Sequence, residues 1–75
     1  MGSETPAVAV GERVRRMLRD LGITQERLAT ALGMAQSQVS RRLDGQIVFD
    51  VAELDIVARL CGVQAADFLT QDVAA

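Results

Sequence analysis

The sequence predicts an all-α fold, a compact five-helix bundle forming one small domain. Three observations carry that prediction. Apolar residues recur at helical spacing in segment after segment, and capping residues and glycines bracket those segments. Strand-like patterning is confined to the short run QIVF at 46–49. The composition agrees: 75 residues, 49% of them hydrophobic, with no Trp or Tyr and with Phe49 and Phe68 as the two aromatics. A chain this short holds one domain, and its core must be mainly aliphatic.

Residues 1–5 (MGSET) read as a disordered polar tail ahead of a domain spanning 6–72. Thr5 can cap the first helix, and Pro6 suits its first turn. Val10, Val14, Met17, Leu18 and Leu21 then fall at i, i+4, i+7, i+8 and i+11, an amphipathic stripe that Gly22 ends. Thr24 caps the second helix, with Glu26 opposing the dipole in its first turn. Leu28, Ala29 and Leu32 form the inner face, and Gly33 stops it. The third helix runs over 36–43 and ends at Asp44 and Gly45. Beyond the QIVF loop, Asp50 caps the fourth helix, and Glu53 three residues on completes a capping-box pair. Leu54, Val57, Ala58 and Cys61 face inward there, and Gly62 closes the helix. A short fifth helix over about 65–70 offers Phe68 and Leu69 to the core. The expected core joins Leu18, Leu21, Leu28, Leu32, Val39, Leu54, Val57 and Leu60.

Charge is unevenly distributed. The whole chain carries a net −2, yet residues 13–42 hold seven arginines against Asp20 and Glu26, a net +5. The remainder holds Arg59 against eight acids, a net −7. Every basic residue is Arg, the side chain suited to bidentate phosphate and guanine contacts. With no His and a single Cys, the usual zinc ligand sets are missing, and no metal or other cofactor is implied. Without His or Tyr, and without a Gly-rich phosphate loop, an enzyme is a poor fit, and no catalytic residue is assigned. The lone Cys61 reads as a buried small hydrophobe and fits the reducing cytoplasm. No apolar run approaches the ~20 residues of a membrane span, and no signal-peptide pattern is present.

The stretch GMAQSQVSRRLDG (33–45) carries the functional reading. Two short helices joined by three or four residues, the first ending in Gly, make a helix-turn-helix. At helical spacing, Gln36, Ser40, Ser37 and Arg41 fall within one arc of roughly 140°. All four donate hydrogen bonds, and no acid occurs between Glu26 and Asp44. Such a face suits a major groove: Gln pairs with adenine, Arg with guanine, and Ser with bases or phosphates.

These residues resemble the lambda-repressor/Cro (XRE-type) helix-turn-helix family of phage repressors and bacterial regulators. The resemblance spans about 8–70 and is densest over TQERLATALGMAQSQVSRRLDG (24–45). It rests on Gln25, Ala29, Gly33, Gln36, Ser37, Val39, Ser40, Arg41 and Gly45. DVAELDIVARLCGVQAADFL (50–69) is similar to the family's fourth and fifth helices. The resemblance implies that the third helix enters the major groove, with Gln36, Ser37 and Arg41 touching bases. It implies backbone contacts by Thr24 and Gln25, with Gln25 also bracing Gln36. Backbone N–H groups near Gly45 and Gln46 would bind phosphate. Gln38, Ser40 and Arg42 take supporting or backbone-contact places. Arg42 departs from the family pattern, which has an apolar residue there. It lies nearly opposite the groove-facing arc, so its stem should pack while its head reaches solvent, an acid or a phosphate.

The implied partner is double-stranded DNA, bound by a homodimer on a palindromic operator, since one recognition helix reads few base pairs. The alternative is a protein-interaction module (an antitoxin, antirepressor or adaptor) that keeps the fold without strong DNA binding. The acidic C-terminal half and the apolar Ile47-Val48-Phe49 run motivate it. Phe49 should turn inward, leaving Ile47 or Val48 partly exposed as a possible dimer contact.

Overall fold

A computed structural model describes residues 6–69. Four α-helices follow in order, α1 (Pro6–Leu21), α2 (Gln25–Leu32), α3 (Gln36–Leu43) and α4 (Val51–Cys61), and then one 3₁₀ turn (Ala65–Phe68). The described residues contain no strand, and 46–49 is a loop. The tail at 1–5, the capping role of Thr5 and the residues beyond 69 lie outside the described part.

α1 packs on α3, α4 and the 3₁₀ turn, while α2 packs on α3 and α4. One core results: Val14 and Leu18 from α1, Leu28 and Ala29 from α2, Val39 and Leu43 from α3, and Leu54, Val57 and Ala58 from α4, closed by Phe49 and Phe68. Each fully buried Val, Leu or Phe contributes about 1.5–3 kcal/mol by leaving water. No polar or charged residue among those described is buried. The fold therefore rests on apolar burial and on well-made helix ends.

Those ends follow one pattern. The N–H of Ile23 donates to Leu18 O, that of Met34 to Ala29 O and that of Val63 to Ala58 O, each from the residue after a left-handed glycine. This six-residue closure satisfies carbonyls that a helix end leaves open, and glycine adopts the required positive φ without a side-chain clash. In all three cases the following residue is apolar and packs against the core. At the other ends, Thr24 Oγ1 accepts from Arg27 N at 3.0 Å. Asp50 and Glu53 form the full capping box on α4.

Several expected core positions shift. Leu21 is 49% exposed, because Gly22 turns the chain and Ile23 packs inward in its place. Leu32 and Leu60 are half-buried at the core's edge, where Leu43 and Phe49 take central places. The fifth helix is a single 3₁₀ turn rather than an α-helix. With three residues per turn, Ala65 and Phe68 share a face and the next residue is rotated away. Leu69 is accordingly 54% exposed instead of entering the core. Cys61 is half-buried rather than buried. Partial burial still pushes its thiol up from the ordinary value, which disfavours the reactive thiolate.

Candidate nucleic-acid interface

α2, the turn at 33–35 and α3 form the helix-turn-helix. Ala29 is buried where α2 meets its neighbours, and Gly33 takes φ 69° and ψ 34° to open the turn. Val39 and Leu43 point into the core and so fix which side of α3 faces outward. That side presents Ser37 and Arg41, both exposed, with Ser40 half-buried beside them and Gln36 exposed at the first position of the helix. Thr24 is exposed at the start of α2, with its hydroxyl occupied as the cap, and Gln25 is half-buried. Among the described residues no hydrogen bond joins Gln25 to Gln36.

The seven arginines of residues 13–42 divide into two groups. Arg13 donates to the Phe68 carbonyl at 2.7 Å, and Arg15 pairs with Asp44 at 2.7 Å. Arg42 is paired with Glu53 and also bonds Gln38. Arg16, Arg19, Arg27 and Arg41 are exposed and enter no salt bridge among the described residues. The net +5 of residues 13–42 therefore overstates the positive surface, because Asp44 and Glu53 offset Arg15 and Arg42. On α3 the unpaired cation is Arg41. Ion pairing across elements, which linear charge counting cannot show, decides this.

α3 ends like the other helices, with Gly45 at φ 85°. Gly45 N donates to Arg42 O at 3.1 Å and Gln46 N to Arg41 O at 2.9 Å. The two amides assigned to phosphate are thus engaged within the chain. The residue following this glycine, Gln46, is polar and exposed, whereas Ile23, Met34 and Val63 pack on the core. The domain covers three helix ends and leaves the end of α3 polar and open.

Two close approaches set the position of α3 and had no place in the sequence reading. A Cβ on Gly11 would sit against the Leu43 carbonyl oxygen and 2.7 Å from that of Arg42. One on Gly45 would come within 2.7 Å of Val8 Cα. α1 therefore lies backbone-close against the C-terminal end of α3. The available signal was Gly11 itself: a glycine inside a helical stripe, where alanine is favoured by ~1 kcal/mol, marks a close approach.

A helix-turn-helix on a packed apolar core, presenting an outward helix face with an unpaired Arg and no acid, is the architecture of a DNA-binding transcriptional regulator. The profile of the helix-turn-helix domain family matches residues 9–70, and the chain belongs to that family. No curated protein matches the chain. Among solved structures, the fold is similar to that of the restriction-modification controller protein C.AhdI from Aeromonas hydrophila. The TM-score is 0.76 at 24% identity, covering 83% of this chain and 94% of that one. No helix of the described residues is long and apolar enough to cross a membrane.

Proposed function

We propose that the protein is a sequence-specific regulator of repressor or Cro type, acting as a homodimer on a palindromic operator with α3 in the major groove. It is a cytoplasmic binding protein without catalytic site or cofactor. The outward face of α3 carries this reading: Gln36, Ser37 and Arg41 are exposed together, with no acid among them. Gln36, Ser37 and Arg41 are the base-contacting residues. Thr24, Gln25 and Gln46 meet the sugar–phosphate backbone, Gln46 through its side chain, and Gln25 braces Gln36 once DNA is bound.

Selection from a random duplex pool with the purified chain supplies the preferred site. On that site Arg41→Ala is expected to lose about 1–3 kcal/mol and to relax preference at one base pair. Parent binding should fall steeply with added salt despite the net −2. Equal losses on preferred and random duplexes would sink the base-contact assignment for Arg41.

The apolar surface beyond α3 supports self-association. Phe49 is buried, Ile47 is half-buried and Val48 is 67% exposed. Val48 borders an apolar hollow of about 450 Å³, also lined by Val10, Phe49, Leu54 and Leu69. The same surface favours the second reading, a protein-interaction module. Joint Ile47→Asp and Val48→Asp substitution should abolish cooperative binding to paired half-sites while single half-site binding survives. Unchanged cooperativity in a folded double variant would remove this loop from the dimer contact. Absence of salt-dependent DNA retention by the parent would favour the interaction module.

A further inference from the structure

We propose that Arg42 is a positioning residue: its two-pronged pair with Glu53 ties the recognition helix to the start of α4 and so aims the Gln36–Ser37–Arg41 face. The inference rests on the DNA-binding reading above. By sequence, Arg42 lies nearly opposite the groove-facing arc, with solvent, an acid or a phosphate open to its head. The geometry assigns it the acid. Nε donates to Glu53 Oε1 at 3.0 Å, and Nη2 donates to Oε2 at 3.3 Å, a fork-to-fork match. Nη1 turns back to the Gln38 carbonyl at 3.0 Å and to Gln38 Oε1 at 3.3 Å. One edge of the guanidinium thus grips α4 while another grips the preceding turn of α3.

Glu53 is itself held. Its Oε1 accepts from Asp50 N at 3.1 Å, and Asp50 Oδ1 accepts from Glu53 N at 2.7 Å. The capping box therefore presents a fixed carboxylate to Arg42. The two side chains are 14% and 17% exposed, so salt screens the pair less than a surface pair. Swinging Arg42 out to a phosphate would leave that mostly buried carboxylate unpaired, which is costly. The main packing partners of α3 are α1 and α2. The ion pair adds a direct tie to α4 and closes the loop that carries Gly45 and Gln46.

The test compares the full chain with Glu53→Gln, Arg42→Met and the double variant. Each is measured on the selected duplex and on an unrelated duplex of equal length, across a salt series. Glutamine at this capping-box position still accepts the Asp50 N–H, so Glu53→Gln should stay folded by thermal melt. Removing an acid near DNA ordinarily strengthens binding. Here Glu53→Gln should instead weaken binding to the selected duplex by about tenfold, within the range for coupled neighbours. The loss on unrelated DNA should be much smaller. Arg42→Met should match it with an unchanged salt slope, and the double variant should lose no more than either single one. Glu53→Gln binding as tightly as the parent would overturn the inference. So would a salt slope lowered by about one in Arg42→Met, the mark of a direct phosphate contact. If Glu53→Gln no longer folds, the pair holds the domain together rather than aiming one helix, and the inference fails. A parent chain that binds no duplex overturns the DNA-binding reading, and this inference with it.

Discussion

Phe68→Ala is expected to destabilise the domain by about 3–5 kcal/mol, the range for emptying a fully buried aromatic site. Phe68 has no exposed surface and is the largest of the fully buried side chains. It sits on one 3₁₀ turn, yet it closes the core against both α1 and α4. Its carbonyl also accepts from Arg13, so losing the side chain loosens a cross-element hydrogen bond. A single core of this size supplies only ~3–5 kcal/mol of net stability. The variant should therefore be largely unfolded at physiological temperature, with the urea midpoint moved close to zero. A loss of unfolding free energy below about 1 kcal/mol would show that the 3₁₀ turn is an appendage to a core the four α-helices complete alone.

Gly11→Ala opposes local propensity to tertiary packing. Inside an isolated helix the change should help by about 1 kcal/mol, since alanine is the better helix former. In this fold the new methyl meets the carbonyl oxygens of Leu43 and Arg42, which are backbone atoms and cannot rotate away. Overpacking of this kind costs about 1–3 kcal/mol, so the net change should be destabilising. Relief requires α1 and α3 to move apart, and α3 carries the face proposed to read DNA. Specific DNA affinity should consequently fall by more than the melting point alone explains. An increase in melting temperature, with affinity intact, would show that α1 and α3 do not approach as closely as described.

The helix boundaries were legible because their signals are local. Thr24, Asp50 and Glu53 act through atoms within three residues of themselves, and the glycine stops act through the turn they end. The outward face of α3 was legible for the same kind of reason. Once Val39 and Leu43 turn inward, helical geometry alone carries Ser37 and Arg41 to the other side, whereas Gln36 shares their stripe and is exposed as the first residue of the helix.

What the sequence by itself determined is thus the all-α class, the helix-turn-helix and the polar residues that α3 exposes. The tertiary structure alone decided which positive charges remain available, because the partners are distant in sequence: Arg15 with Asp44, Arg13 with the Phe68 carbonyl, Arg42 with Glu53. It also decided which apolar residues at helix ends enter the core. Leu21 and Leu69 project past the packed region, while two residues outside any helix serve it, Phe49 within the core and Ile23 packed against its edge. Periodicity tells which side of a helix is apolar. How far along its length a neighbour covers that side is set by the crossing of helices, and that crossing rests on contacts such as Gly11 against the end of α3.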